Sequence, residues 1–487
     1  SAPGRRPATY GDIGRVMEQT HALLRKAGIG RTDRVAIVLP NGPEIASCFV
    51  AVASAAACAP LNPAYTADEL DYYLADLRPR AIVLSRTDCA ARQVAKKRGL
   101  AIFTLDVGPE FPAGVFRLEA ETPFAGTTST DGPLGADDVA LLLHTSGTTS
   151  RPKLVPLTSG NLCASARNIK TTLGLEESDV CLNVMPLFHI HGLVASLLAS
   201  FDAGASVTST PGFDALQFFG WLKTENPSWY SAVPTMHQAV LARAPRNIAI
   251  VRESRLRFVR SSSASLSPQV MRELEETFGC PVIEAYGMTE ASHQMTSNPL
   301  PPRPRKPGCV GLQTGTEVAI MSDDGRRLLD DAEGEVVVRG PSVTRGYLDA
   351  PDANEMAFKD GWFRTGDRGR LDSDGYLRLT GRIKEIINRG GEKISPLEVD
   401  AVLMDHAAVA QAVTFGVPHP KLGEEVAAVV VVREGRATSE RELKAHAAKR
   451  LANFKVPRTI VFVTDIPKGP TGKVQRVGLA KRLGVNS

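Results

Sequence analysis

The chain has 487 residues, 43% hydrophobic and 23% charged, enough apolar material for large cores in about three globular units. Lys and Arg number 57 against 53 Asp and Glu, and the balance of +4 is too small for this length to point to nucleic acid or an acidic membrane. Seven cysteines, scattered, odd in number and without C-x-x-C spacing, argue against a disulfide framework or zinc site and for a reducing compartment.

Arg34–Pro40 reads as a buried strand, followed by a helix after Gly42-Pro43. No charge falls between Glu44 and Asp68, but Pro60, Asn62, Pro63 and the Ala and Ser content make this a buried helix running into a buried strand, not a membrane span. The buried-strand pattern recurs at Ala81–Ser85, Ala101–Leu105, Val139–His144, Val180–Met185, Ala205–Thr208, Trp229–Val233, Leu256–Arg260 and Val282–Tyr286. Patterned helices such as Pro268–Phe278 lie between them. Continuous Val/Ile/Leu runs separated by helices are what sheets covered on both faces require, so an α/β architecture with mostly parallel sheets is expected.

After Gly311 the short strands Glu317–Met321, Gly334–Arg339 and Tyr376–Leu379 sit between Asp/Gly turns, predicting a β-rich subdomain over about 312–381. A second change follows Gly381-Arg382. Strands at Val409–Val417, Glu425–Val432 and Thr459–Val463, with helices at Pro396–Met404 and Ser439–Leu451, predict a compact α+β module. A large domain over 1–382 and a small one over 383–487 follow. The N-terminus has no apolar signal-peptide core and the C-terminus no sorting tripeptide, so a soluble, cytoplasmic protein is expected.

The segment richest in chemistry is His144-Thr-Ser-Gly-Thr-Thr-Ser-Arg-Pro-Lys153, which follows a strand and packs hydroxyl residues around Gly147. Backbone N–H groups, hydroxyls and the Lys153 cation suit a polyphosphate. It is not a Walker A loop: Pro152 replaces the glycine before the lysine and Leu154 the Ser/Thr after it. Four further segments accompany it: Glu284-Ala-Tyr-Gly-Met-Thr-Glu290, Gly361-Trp-Phe-Arg-Thr-Gly-Asp367, Gly381–Ile394 and Pro470-Thr-Gly-Lys-Val-Gln-Arg476.

With these motifs, in this order and spacing, essentially the whole chain resembles the adenylate-forming superfamily of acyl-CoA synthetases, peptide-synthetase adenylation domains and luciferases. The resemblance implies a large domain of stacked, mostly parallel sheets flanked by helices, with a small β-barrel subdomain and a mobile α+β domain after it. It also implies that ATP, Mg²⁺ and coenzyme A are used. Thr145, Ser146, Gly147, Thr148, Thr149 and Lys153 then close over the β- and γ-phosphates. Tyr286 stacks on adenine, Thr289 bonds the α-phosphate, Glu290 holds Mg²⁺, and Asp367 takes the ribose hydroxyls with help from Arg382. Ser263, Glu284 and Ala285 are further cofactor-site positions. Lys384 sits at the hinge, and Lys473 reaches the reacting carboxylate and α-phosphate. Arg389, Gly390 and Gly391 open the loop that meets the pantetheine arm, where glycines let backbone approach closely. Lys455 and Arg458 are positioned for CoA phosphates. Ser150 and Leu154 depart from the glycines usual in the phosphate loop, and the chain begins near where the family's first helix is due.

Substrate choice falls on Pro186–Gly192, Arg260–Leu266 and the residues after Glu290. A long-chain ligase needs an apolar tunnel, whereas these segments carry Ser262, Ser263, Ser265, His189, His191 and His293. The run Met288–His293 and its continuation to Pro301, Ser150–Lys153 and Arg260–Leu266 resemble the oxalate–CoA ligase branch. Oxalate is a small dianion whose second carboxylate, once buried, needs donors or a cation. His293 with Ser262 or Ser263 is expected to supply them, with His189 capping a short pocket and Met288 lining it. The alternatives are another short or hydroxylated acid, or a stand-alone adenylation enzyme; a peptide-synthetase adenylation unit would be expected to run on into a carrier domain, and a luciferase would need a bulky aromatic pocket. A catalytically dead relative is disfavoured by the presence of Lys473, Glu290 and Asp367. The expected partners are small molecules, with no nucleic acid and no membrane, and the chain is a monomer or homodimer.

Overall fold

The computed structural model describes residues 1–121, 132–145, 152–329, 331–467 and 474–485. Strands β1 (Arg34–Val38), β2 (Ala57–Pro60), β3 (Ala81–Ser85), β4 (Ala101–Asp106), β5 (Arg117–Ala120), β6 (Val139–Thr145) and β7 (Lys153–Thr158) form one sheet in the order β5-β4-β3-β1-β2-β6-β7. Its five central strands are parallel, and β5 and β7 are antiparallel edges. A second sheet contains β8 (Val180–Asn183), β9 (Ser206–Ser209), β10 (Trp229–Ala232), β11 (Phe258–Ser262), β12 (Val282–Met288), β13 (His293–Ser297) and β14 (Leu312–Gln313). Its order is β14-β13-β12-β11-β10-β8-β9, parallel from β12 through β9.

Burial on both faces explains the unbroken apolar strands. On β1, Val35 and Ile37 face the core between the two sheets, while Ala36 and Val38 pack against Leu70, Leu74 and Val94 of the outer helices Ala67–Leu77 and Cys89–Lys97. The second sheet repeats the division. Trp229 and Phe258 face the shared core, and Tyr230 and Val259 face an outer cluster with Val270 and Leu274 of the helix Pro268–Phe278. Between the sheets lie the helices Pro43–Ala53 and Ser159–Leu173 and a wider, π-type helix over His191–Leu198.

The β-rich subdomain is a five-stranded antiparallel sheet of β15 (Glu317–Met321), β16 (Gly334–Arg339), β17 (Phe358–Lys359), β18 (Trp362–Leu371) and β19 (Leu377–Arg382). Leu312–Gln313 belongs to the second large sheet instead, paired with β13. Past Arg382 come β20 (Ile387–Arg389), β21 (Glu392–Ile394), β22 (Val409–His419), β23 (Gly423–Val432) and β24 (Thr459–Phe462). The helices Pro396–Met404 and Glu440–Ala448 pack on this sheet around Val399, Leu403, Val430 and Leu443. The last module touches the helices Pro234–Leu241 and Pro268–Phe278 beside the second large sheet, where Arg433 pairs with Glu273 at 2.9 Å and Gln238 Nε2 donates to the Ala410 carbonyl at 3.0 Å. Among the described residues no helix is long and apolar enough to cross a membrane, and no disulfide forms.

Candidate active site

Ligands of open α/β sheets bind beyond the carboxyl ends of the parallel strands. Here the ends of β6, β11 and β12 deliver Thr145, Ser262 and Met288 to one region. Three groups of residues assemble there.

The first joins Tyr286, Asp367 and Arg382. Tyr286, near the end of β12, donates its hydroxyl to Asp367 Oδ2 at 2.5 Å, and Arg382 Nε lies 3.0 Å from Oδ1. Antiparallel pairing of β18 and β19 sets Asp367 directly opposite Arg382. Burial pushes the Asp367 carboxyl above its ordinary range, opposed by the Arg382 charge and the Tyr286 hydrogen bond.

The second group joins Glu290, Tyr347 and Lys153. Glu290 is 6% exposed, in a single helical turn over Thr289–Ala291, and its Oε1 accepts from the Tyr347 hydroxyl at 2.8 Å. Lys153 Nζ stands 4.4 Å over the Tyr347 ring. Lys153 is itself fixed opposite Thr145, whose Oγ1 donates to the Lys153 carbonyl at 3.4 Å. Burial raises the Glu290 pKa, while the Tyr347 hydrogen bond and the charges of Arg382 and Lys153 oppose it. One buried carboxylate fits a magnesium ion that arrives with the phosphates and keeps several waters, not an all-protein cage. No cluster of three or more metal-ligating side chains occurs among the described residues.

The third group is the polar pocket. His191 Nδ1 lies 3.0 Å from Ser263 Oγ, and His191 Nε2 lies 2.6 Å from Ser231 Oγ. The His293 ring stands 4.9 Å from that of His191. His189 Nδ1 accepts from the His191 amide at 3.3 Å. Beneath them Arg260, fully buried, donates to Ser231 Oγ at 3.2 Å and Gln294 Oε1 at 2.9 Å, and its Nη1 is 3.4 Å from His191 Nε2. Ser263 and His293 both hold positive φ, +73° and +95°, the kind of local strain that gathers at functional sites.

Two expected site residues turn their side chains to support. Ser262 donates to the Ala285 carbonyl at 2.8 Å, so its hydroxyl ties β11 to β12. Glu284 accepts from the Leu266 amide at 2.9 Å, bracing the loop after Ser263, and burial pushes its pKa up to about 8. Met288 is half-buried opposite His293. Arg389 forms a two-point pair with Glu425 at 2.6 and 3.1 Å, and Gly390 and Gly391 make the positive-φ turn between β20 and β21. Lys455 pairs with Glu398 at 2.8 Å. Ser146, Gly147, Thr148, Thr149, Ser150 and Lys473 lie outside the described residues.

Sequence reasoning placed Arg260 at the head of a pocket segment without giving it a role, and missed Ser231, Gln294 and Tyr347. Tyr347 stands in no motif. Gln294 was within reach, since it directly follows His293 in the run after Glu290 that substrate choice was assigned to.

Stacked parallel sheets, a hydroxyl-and-lysine hairpin and a Tyr–Asp–Arg cluster define a nucleotide-using ligase. The chain belongs to the AMP-binding enzyme family, as an acyl-CoA ligase: that family's model matches residues 3–348, and the model of its C-terminal domain matches residues 398–473. It is 47% identical over 485 residues to the oxalate–CoA ligase of Arabidopsis thaliana, covering 98% of this chain and 93% of the relative. With the oxalate–CoA ligase of Saccharomyces cerevisiae it shares 41% over 483 residues, covering 94% of this chain and 88% of that one. Its fold matches the crystal structure of ATP-bound MatB from Rhodopseudomonas palustris with a TM-score of 0.87 at 29% identity, over 99% of this chain and 97% of the other.

Proposed function

We propose that this enzyme activates oxalate with ATP and transfers the oxalyl group to coenzyme A. A carboxylate is a poor electrophile, so one of its oxygens attacks the α-phosphorus of ATP; the bond to the β-phosphate bridging oxygen breaks and pyrophosphate leaves. The CoA thiol then attacks the acyl carbon, losing its proton, and AMP departs. Both steps bring negative groups together, and cations placed in advance lower that barrier. Lys153 serves the β- and γ-phosphates, Thr289 the α-phosphate, and Asp367 with Arg382 the ribose. Glu290 holds the magnesium ion, which when bound neutralises phosphate charge. Lys473 serves the first step. The resemblance has the small domain then rotate near Lys384, bringing the Arg389-Gly390-Gly391 turn to the thiol. The five buried free thiols support a reducing, cytoplasmic setting.

The observation that carries the substrate is the pocket composition: His191, His293 and Ser263 face one another where a fatty-acid ligase needs apolar wall. The names of the two oxalate–CoA ligase relatives support the same reading. Pyrophosphate release across oxalate, malonate, glycolate, acetate, hexanoate and coumarate tests it, with oxalate expected to have the highest kcat/KM. His293→Ala is expected to reduce oxalate turnover far more than acetate turnover, because a site built for a polar group rejects analogues lacking it. Faster turnover of hexanoate than oxalate by the unaltered enzyme would overturn the substrate assignment and leave the adenylation chemistry standing.

A further inference from the structure

Among the described residues Arg260 is the largest charged side chain buried completely, at 0% exposure on the central strand β11. Among the described residues no carboxylate pairs with it; its partners are the neutral Ser231 and Gln294 side chains and the His191 ring. Burial lowers its pKa to about 9, which leaves it charged at neutral pH. A buried cation without a counter-ion is costly to keep unless something negative is brought to it.

Its hydrogen bonds also fix the neighbouring imidazole. His191 Nε2 has two neighbours, the Ser231 hydroxyl at 2.6 Å and Arg260 Nη1 at 3.4 Å; a guanidinium only donates and the hydroxyl has a proton to give, which casts Nε2 as the acceptor for both. The ring proton then resides on Nδ1, which points at Ser263 Oγ 3.0 Å away. With its oxygen already accepting, Ser263 has its own proton left to donate outward, from the loop after β11.

The geometry points to Arg260 as the positioning residue that makes this pocket select acids with a second negative charge: it holds His191 in the Nδ1–H form, turns the Ser263 hydroxyl into a donor and supplies the buried positive charge. This rests on the substrate reading above but concerns charge, not identity. It predicts discrimination between oxalate and oxamate, which share size and planarity and differ by one negative charge.

The test compares KM and kcat for oxalate and oxamate, with ATP affinity measured directly, in the unaltered enzyme and in Arg260→Gln, Arg260→Lys and Ser263→Ala. Arg260→Gln keeps hydrogen-bonding capacity and removes the charge. It is expected to raise KM for oxalate at least tenfold and that for oxamate less than threefold, with ATP affinity unchanged. Arg260→Lys is expected to restore most of the preference. Ser263→Ala removes the terminal donor without touching the buried charge, and is expected to lower the oxalate-to-oxamate ratio severalfold, which keeps the test decisive should Arg260→Gln not fold. Equal loss on both acids, or an unchanged ratio in both Arg260→Gln and Ser263→Ala, overturns the inference while leaving oxalate as substrate. An unaltered enzyme that handles the two acids equally overturns the inference by itself, and one that prefers acetate or hexanoate overturns the substrate reading as well.

Discussion

Tyr286 spends its hydroxyl on Asp367, 2.5 Å away, so the residue expected under the adenine also orients the residue expected at the ribose. A buried carboxylate held by one tyrosine and one arginine presents its remaining lone pairs in fixed directions. Asp367→Ala should therefore weaken ATP binding by roughly 1.5–3 kcal/mol, about tenfold to a hundredfold. Tyr286→Phe keeps the ring and loses one orienting bond, for an expected drop of about fivefold. Calorimetry with ATP alone checks both; unchanged affinity in Asp367→Ala removes the ribose assignment.

Tyr347 couples Lys153 to Glu290 and gives a prediction in pH. Its hydroxyl stabilises the ionised Glu290, opposing the upward push of burial. Tyr347→Phe should raise the Glu290 pKa further, moving the acidic limb of the adenylation profile to higher pH and raising the magnesium concentration needed for half-maximal rate. The ring under Lys153 is retained, so a fall in rate that is uniform across pH would argue against this coupling.

Glu284 carries a stability prediction. Its pKa, about 8 against an ordinary 4.5, is raised by burial, so the folded state holds the proton more tightly than the unfolded chain. Its contribution is present in full below about 4.5 and lost as pH rises through about 8. Glu284→Gln should leave the Leu266 contact in place and remove this slope. Urea unfolding at pH 5 and 8 should show the difference between the two pH values shrink by on the order of 3 kcal/mol relative to the unaltered enzyme.

How much of this was legible follows from what each segment hides. Strands buried on both faces announce themselves as apolar runs, so Ala81–Ser85, Glu317–Met321 and Gly334–Arg339 were read to the residue. The helices Pro268–Phe278 and Pro396–Met404 were equally plain, each opening on a Ser-Pro cap. β13, His293–Ser297, was invisible for the opposite reason: four of its five buried residues are polar, so no hydropathy pattern marks it. Arg260 was read as the last residue of an apolar strand that in fact continues to Ser262, and its burial depends on Ser231 and Gln294, which only the sheet brings beside it. Motif residues were found because they cluster in sequence; their supporting partners cluster only in space.

Arg476 extends the half-reaction argument to the small domain. It lies three residues beyond Lys473 and binds the Thr414 carbonyl at 3.0 Å and Asp400 Oδ2 at 2.6 Å, with Glu385 at 3.4 Å beside the expected hinge. Lys473→Ala should nearly abolish acyl-adenylate formation from ATP while retaining thioester formation from supplied acyl-adenylate. Arg476→Met should produce a milder version of the same split, since it loosens the segment without removing the lysine. Equal loss in both halves would sink the assignment of Lys473 to adenylation alone.

Gly287 joins the nucleotide motif to the pocket. The pairing of β12 with β13 shifts register between Tyr286 and Gly287, and a Cβ at Gly287 would lie 1.7 Å from the His293 carbonyl oxygen and 2.4 Å from its carbon. No side-chain rotation relieves a clash with backbone, so Gly287→Ala must push β13 away from β12. His293 then moves from its place beside His191, while Tyr286, on the other side of the shift, keeps its bond to Asp367. A clash this close against backbone costs more than the roughly 1–3 kcal/mol of ordinary core overpacking. The expected variant has a clearly lowered melting temperature and, at temperatures where it is folded, ATP affinity within a few-fold of normal. Its kcat/KM for oxalate falls far more than that for acetate. A variant that loses ATP binding and oxalate turnover in parallel would show that the two halves of the site move as one piece.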